Sequence, residues 1–139
     1  MIVRSALLAL VMAAGLSVPA QAQERPAVPA IQNTITAQLN AFVADDLTGA
    51  FSHASPTIKQ AFRTPENFGA MVRNGYPMVW RPAETRYLEL REVAGTLWQR
   101  VMITDTEGQT HLLDYQMIPG PDGWQINAVQ LLESPPPSV

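Results

Sequence analysis

Between residues 31 and 43, apolar side chains return at helical spacing. Ile31, Ile35, Leu39, Phe42 and Val43 fall at i, i+4, i+8, i+11 and i+12, which gathers them on one face of a helix. Asp45-Asp46 closes this run, and Asp46 is placed to cap a second short helix that carries Leu47, Ala50, Phe51 and Ala54 on one side. Ser55-Pro56 is a cap followed by proline at the first helical position, where its missing N–H has no intrahelical partner to lose. A third helix with Ile58, Ala61 and Phe62 is expected from there. Thr64-Pro65 repeats the device and starts a fourth through Phe68, Met71 and Val72, with Gly75 expected as the left-handed residue that ends it.

After Gly75 the period falls from about 3.6 to 2. Residues 76–80 are read as the start of an extended segment, and Arg81-Pro82 as a break. Strands are expected over residues 85–93, 96–104, 109–118 and 124–132, with Gly95, Gly108 and the stretch 119–123 as the turns between them. In the last strand Trp124, Ile126 and Ala128 share a face, yet Val129, Leu131 and Leu132 follow. That irregularity predicts a bulge near Ala128-Val129. Helices first and four antiparallel strands afterwards make an α+β domain whose sheet curls around the helical layer as a cone with a mouth.

The N-terminal pattern is of another kind. Arg4 precedes a short apolar run over residues 6–16, and Ala20-Gln21-Ala22 has the small-x-small form of a cleavage site, so residues 1–22 are read as an export signal cut after Ala22. The run is too short to span a bilayer, so the mature chain is expected in the periplasm or outside the cell, without membrane insertion. Residues 23–30 are then a leader, 31–133 the single domain and 134–139 a proline-rich tail. The absence of cysteine excludes disulfides, thiolate catalysis and cysteine metal sites. Nine basic residues face 12 acidic ones, and the basic ones are scattered, so no stripe for nucleic acid is present.

The stretches AFVADDLTGAFSHASPTIKQAF and FGAMVRNGYPMV, followed by WQINAVQLL after a Pro-Gly turn, resemble the bacterial domain-of-unknown-function family 4864 over roughly residues 31–132. Its fold is similar to the cystatin-like cone of the nuclear transport factor 2 and ketosteroid isomerase group. The resemblance implies that fold and no assigned activity. It also allows two copies to pair sheet to sheet as a homodimer.

The candidate chemistry is sparse. Asp45 and Asp46 form an adjacent carboxylate pair, but neighbours on a helix point about 100° apart, and Asp46 is better placed as a cap. His53 ends a short helix, where the dipole favours a cation. His111 lies by a polar loop and is expected to be exposed. Two histidines so far apart give no metal-ligand spacing, and no cofactor motif is present. Asp114 and Tyr115 are strand neighbours and face opposite ways, so one of them looks into the cone. The register with Leu113, Tyr115 and Met117 inward buries more apolar area and leaves Asp114 in solvent. Trp98 and Trp124 close the core or line the mouth.

The expected inner surface comprises Phe42, Phe62, Phe68, Met71, Tyr76, Tyr115, Met117 and Trp124, with Tyr115 as its polar handle and no catalytic residue. That lining suits a small apolar ligand held without chemistry, or a partner protein of the cell envelope. The alternatives are a cone enzyme of the isomerase or dehydratase type, using Asp114 with Tyr115 or His53, and a structural envelope protein docking through its sheet face.

Overall fold

A computed structural model describes residues 22–132. The segment expected to be an export signal, apart from Ala22, and the proline-rich tail lie outside the described residues. The order of elements is β1 (Gln23–Arg25), α1 (Pro29–Val43), α2 (Leu47–Ser52), α3 (Pro56–Phe62), α4 (Pro65–Gly75), α5 (Pro77–Trp80), β2 (Pro82–Val93), β3 (Thr96–Asp105), β4 (Thr110–Gly120) and β5 (Gly123–Leu132). The strands form one antiparallel sheet in the order β1-β2-β3-β4-β5. The α+β layout holds, with five strands in place of four.

The fifth strand comes from the segment read as a leader. Gln23, Glu24 and Arg25 pair with Glu92, Arg91 and Leu90 of β2, and Arg25 makes an ion pair with Glu92. All three residues of β1 are exposed, so backbone pairing carries the strand and no apolar alternation could announce it.

Three of the helix starts follow the expected chemistry. Asp46 accepts a hydrogen bond from the Gly49 N–H (3.0 Å), Thr64 Oγ1 from the Asn67 N–H (3.1 Å) and, more loosely, Ser55 Oγ from the Ile58 N–H (3.4 Å). Helix α1 begins at Pro29, earlier than the apolar period indicates, because proline at its first position supplies a helical φ without a side-chain cap. Its end is a Schellman turn: Asp45 takes φ 56°, and the Asp45 and Asp46 N–H groups donate to Phe42 and Ala41 O at 3.0 and 2.8 Å. Arg81 closes the same end by donating to the Phe42 carbonyl (2.7 Å) and to Asp45 (2.6 Å).

Two expectations fail between residues 75 and 80. Gly75 is the last residue of α4 and has no positive φ; the helix stops because Tyr76 precedes Pro77 and takes φ −135°. Residues 77–80 are the helical turn α5, with Pro77 at its start and Met78 and Val79 buried in the core. Both residues gain more from packing than an extended run at the surface would give.

One face of the sheet carries the core. Val101 and Ile103 of β3 and Leu113, Tyr115 and Met117 of β4 pack with Ile31, Ile35, Leu39 and Phe42 of α1. Fully burying each large side chain of this set is worth roughly 1.5–3 kcal/mol. Val43, placed on the apolar face by spacing, is 51% exposed; Gln38 occupies the covered stripe and satisfies its amide on the Ala50 carbonyl (3.1 Å). The turn from β2 to β3 has Ala94 and Gly95 both left-handed (φ 50° and 82°), the form a two-residue hairpin needs.

The irregularity in the last strand falls one step before its expected place. Between the pairs Met117↔Ile126 and Gln116↔Ala128 the register shifts, leaving Asn127 as the extra residue. This bulge is where the helices attach. Ser55 N–H donates to the Ile126 carbonyl and Ile126 N–H to the His53 carbonyl, both at 2.9 Å, and Ser55 Oγ donates to Asn127 Oδ1 (2.7 Å).

Candidate functional site

The bulge, α3 and α4 enclose a cavity of about 290 Å³, near the low end of the roughly 300–1,000 Å³ of small-molecule sites. Its deep wall is buried: Tyr115, Phe68, Val72, Val79, Ile126 and Gln38. Ile58 and Phe62 of α3, Met71 of α4, Tyr76 and the β5 residues Ala128 and Val129 are half-buried and form the rim. Among the described residues, none of the side chains around the cavity is charged.

Each wall follows from a local feature. Phe68 stands at the centre of an aromatic cluster, with the rings of Phe51, Phe62 and Phe42 at centroid distances of 5.3, 5.8 and 5.8 Å. Tyr76 reaches the opposite rim and donates its hydroxyl to the Val129 carbonyl (3.3 Å). Asn127 borders the cavity because the bulge places it there, with its amide donating to Gln116 Oε1 (2.8 Å). Tyr115 comes from the centre of β4. Its side chain is fully buried, and its hydroxyl has no hydrogen-bond partner among the described residues. Burial, reinforced by Tyr87 and Tyr76, pushes its ionisation far up from the ordinary 10.0, so the phenol stays neutral and keeps its proton.

Of the eight residues expected to line the interior, Phe62, Phe68, Met71, Tyr76 and Tyr115 surround this cavity. Phe42 lies one layer behind Phe68, in contact with Trp80. Met117 is buried in the core further along β4, and Trp124 is half-buried at the start of β5, opposite Pro119; neither borders the cavity. Sequence reasoning missed Val79, because 76–80 was read as extended, and Asn127, because alternation does not locate a bulge residue. Ile58 and Val72 were legible as helix-face residues.

Asp114 does not meet the solvent, contrary to expectation. It is 5% exposed on the sheet face opposite the cavity, paired with Arg91 and lying 3.6 Å from Arg100, which also holds Glu89 at 2.9 Å. The partners come from β2 and β3, and their long side chains cover the carboxylate. His111, expected to be exposed, is half-buried and paired with Asp105 (2.8 Å). That bond, with backbone N–H groups of Gln109 and Glu107, lowers the Asp105 pKa. His53 is not a favoured cation: partial burial and then Lys59 lower its pKa. Asp46 is a helix cap and Asp45 pairs with Arg81, so the two carboxylates share no site. Among the described residues no cluster of three or more potential metal ligands occurs, and no helix is long and apolar enough to cross a membrane.

Neither the curated proteins nor the solved structures give a match to this chain. The family model described as "Domain of unknown function (DUF4864)" matches residues 24–139, which spans every described strand and helix apart from the first residue of β1, and the chain therefore belongs to that family.

Proposed function

We infer that this protein is a small exported domain that holds one apolar molecule in the cavity between α3, α4 and β5 without transforming it. The single observation that carries the reading is the cavity itself: about 290 Å³, with a half-exposed rim and, among the described residues, a lining free of charged side chains. A cone enzyme would need a base within reach of the substrate. Asp114 lies on the other face of the sheet, and neither histidine borders the cavity. Helices on one face of an antiparallel sheet are in keeping with the cystatin-like cone, which we include in the proposal as the fold relationship. The apolar run and cleavage site of residues 1–22 support a place in the cell envelope, where an exported carrier would meet its cargo.

N-phenyl-1-naphthylamine, an uncharged dye that brightens in apolar surroundings, tests the reading. Saturable binding of one dye per chain is expected, with at least a tenfold loss when Met71→Trp fills the rim. Binding that is absent, or indifferent to Met71→Trp in a protein of unchanged melting temperature, would remove the cavity from consideration.

A further inference from the structure

The helices around the cavity are fastened to β5 unequally. Among the described residues, hydrogen bonds join the helical layer to that strand at two places. At the bulge the Ser55 N–H donates to the Ile126 carbonyl and the Ile126 N–H to the His53 carbonyl, both at 2.9 Å, and the fully buried Ser55 hydroxyl donates to Asn127 at 2.7 Å. At Val129 a single bond from the Tyr76 hydroxyl spans 3.3 Å, longer than the roughly 2.5–3.0 Å usual between a hydroxyl and an oxygen acceptor. Ala128, which lines the cavity, stands between the two attachments. The corner between α3 and α4 is tied as well: the Asn67 amide donates to the Phe62 carbonyl (3.0 Å), and the Phe62 and Phe68 rings lie 5.8 Å apart.

Resting on the binding reading above, we propose that the apolar ligand enters between α4 and β5 through a latch, the hydrogen bond from Tyr76 to the Val129 carbonyl, while the junction of Ser55 with Ile126 and Asn127 stays shut. Tyr76 is half-buried and joins α4 to α5, with its own backbone outside the helical region (φ −135°). Met78 and Val79, buried directly after it, hold α5 in place, so rotation of the Tyr76 side chain alone opens the seam. On the half-exposed rim, water takes over the released hydroxyl and carbonyl, and the opening costs only the small net worth of one hydrogen bond. An apolar ligand offers that hydroxyl no competing acceptor. The latch therefore re-forms behind it and keeps water out.

Stopped-flow fluorescence of N-phenyl-1-naphthylamine with the mature chain and with Tyr76→Phe tests the latch. The variant keeps the ring on the rim and loses only the bond. Because the latch is closed both before and after binding, its loss favours the open form equally on both sides. Association and dissociation are therefore expected to quicken by the same factor, about 2- to 12-fold for one hydrogen bond, with the affinity unchanged. Amide hydrogen exchange supplies the second half: the Ser55 and Ile126 N–H groups should exchange as slowly in Tyr76→Phe as in the parent, because their junction does not open. Unaltered rates, or a change confined to dissociation, which marks Tyr76 as a mere contact of the dye, would overturn the latch and leave the cavity as a binding site. Faster exchange at Ser55 and Ile126 would overturn it too, since the helical layer would then lift as a whole. If the dye does not bind the parent chain at all, the underlying reading fails and the entry route falls with it.

Discussion

Asp114 and Tyr115 are neighbours with opposite fates, and pleating explains both. Tyr115 points into the core beside the cavity, while Asp114 points to the other face, where Arg91 and Arg100 enclose it. Alternation made the inward set legible because burying Leu113, Tyr115 and Met117 removes more apolar surface than the other register does. It could not show that Asp114 is covered, because its partners are contributed by two other strands. Replacing Asp114 by Asn leaves two guanidinium groups facing a neutral amide. Asp114→Asn is therefore expected to cost about 1–3 kcal/mol of stability, with dye affinity unchanged. Chemical denaturation alongside a dye titration checks both halves. A loss of binding in a fully folded variant would place Asp114 in the function after all.

Helix punctuation was the most legible part of the elements, since a cap is written within four residues. The same short range hid the rest: β1 is held by backbone pairing with β2, and α5 by the burial of Met78 and Val79, neither of which leaves a local period. The two caps flanking α2 and α3 should also differ in weight. Asp46 is exposed and its side chain caps α2 alone. Ser55 is fully buried and its hydroxyl donates to Asn127 at the β5 bulge while capping α3. Asp46→Ala is expected to cost about 0.5–1 kcal/mol and Ser55→Ala about 2 kcal/mol, the upper end for caps. Thermal melts of the two variants give the comparison. The Ser55 variant should also bind the dye less well, because the bulge that brings Asn127 to the cavity loses its tether.

Across the whole molecule, titrating groups set a stability plateau. His53 has a folded-state pKa below its ordinary 6.5, so the unfolded chain binds more protons beneath that value, and stability is lost as pH falls through the interval down to the folded pKa. Asp105, lowered from 3.8 mainly by its bond to His111, adds a second loss as pH falls below 3.8 toward its folded value. Tyr115 acts in the other direction, since its raised pKa makes stability decline as pH rises above 10.0. Melting temperature against pH should therefore be flattest between about 6.5 and 10. In Tyr115→Phe the alkaline decline should be smaller and the acid side unaltered.

The central claim is that the cavity, and not the opposite sheet face, is where this protein meets its ligand. Two methionines mark the two places: Met71 lies on the cavity rim, and Met102 lies on the outer face of β3, between the inward Val101 and Ile103. The most direct measurement is a methyl NMR spectrum of the chain carrying ¹³C-labelled methionine, recorded while N-phenyl-1-naphthylamine is added. The expected result is a saturable shift of the Met71 methyl with Met102 unmoved; a shift of Met102 with Met71 unmoved, or no shift at either at saturating dye, would contradict it.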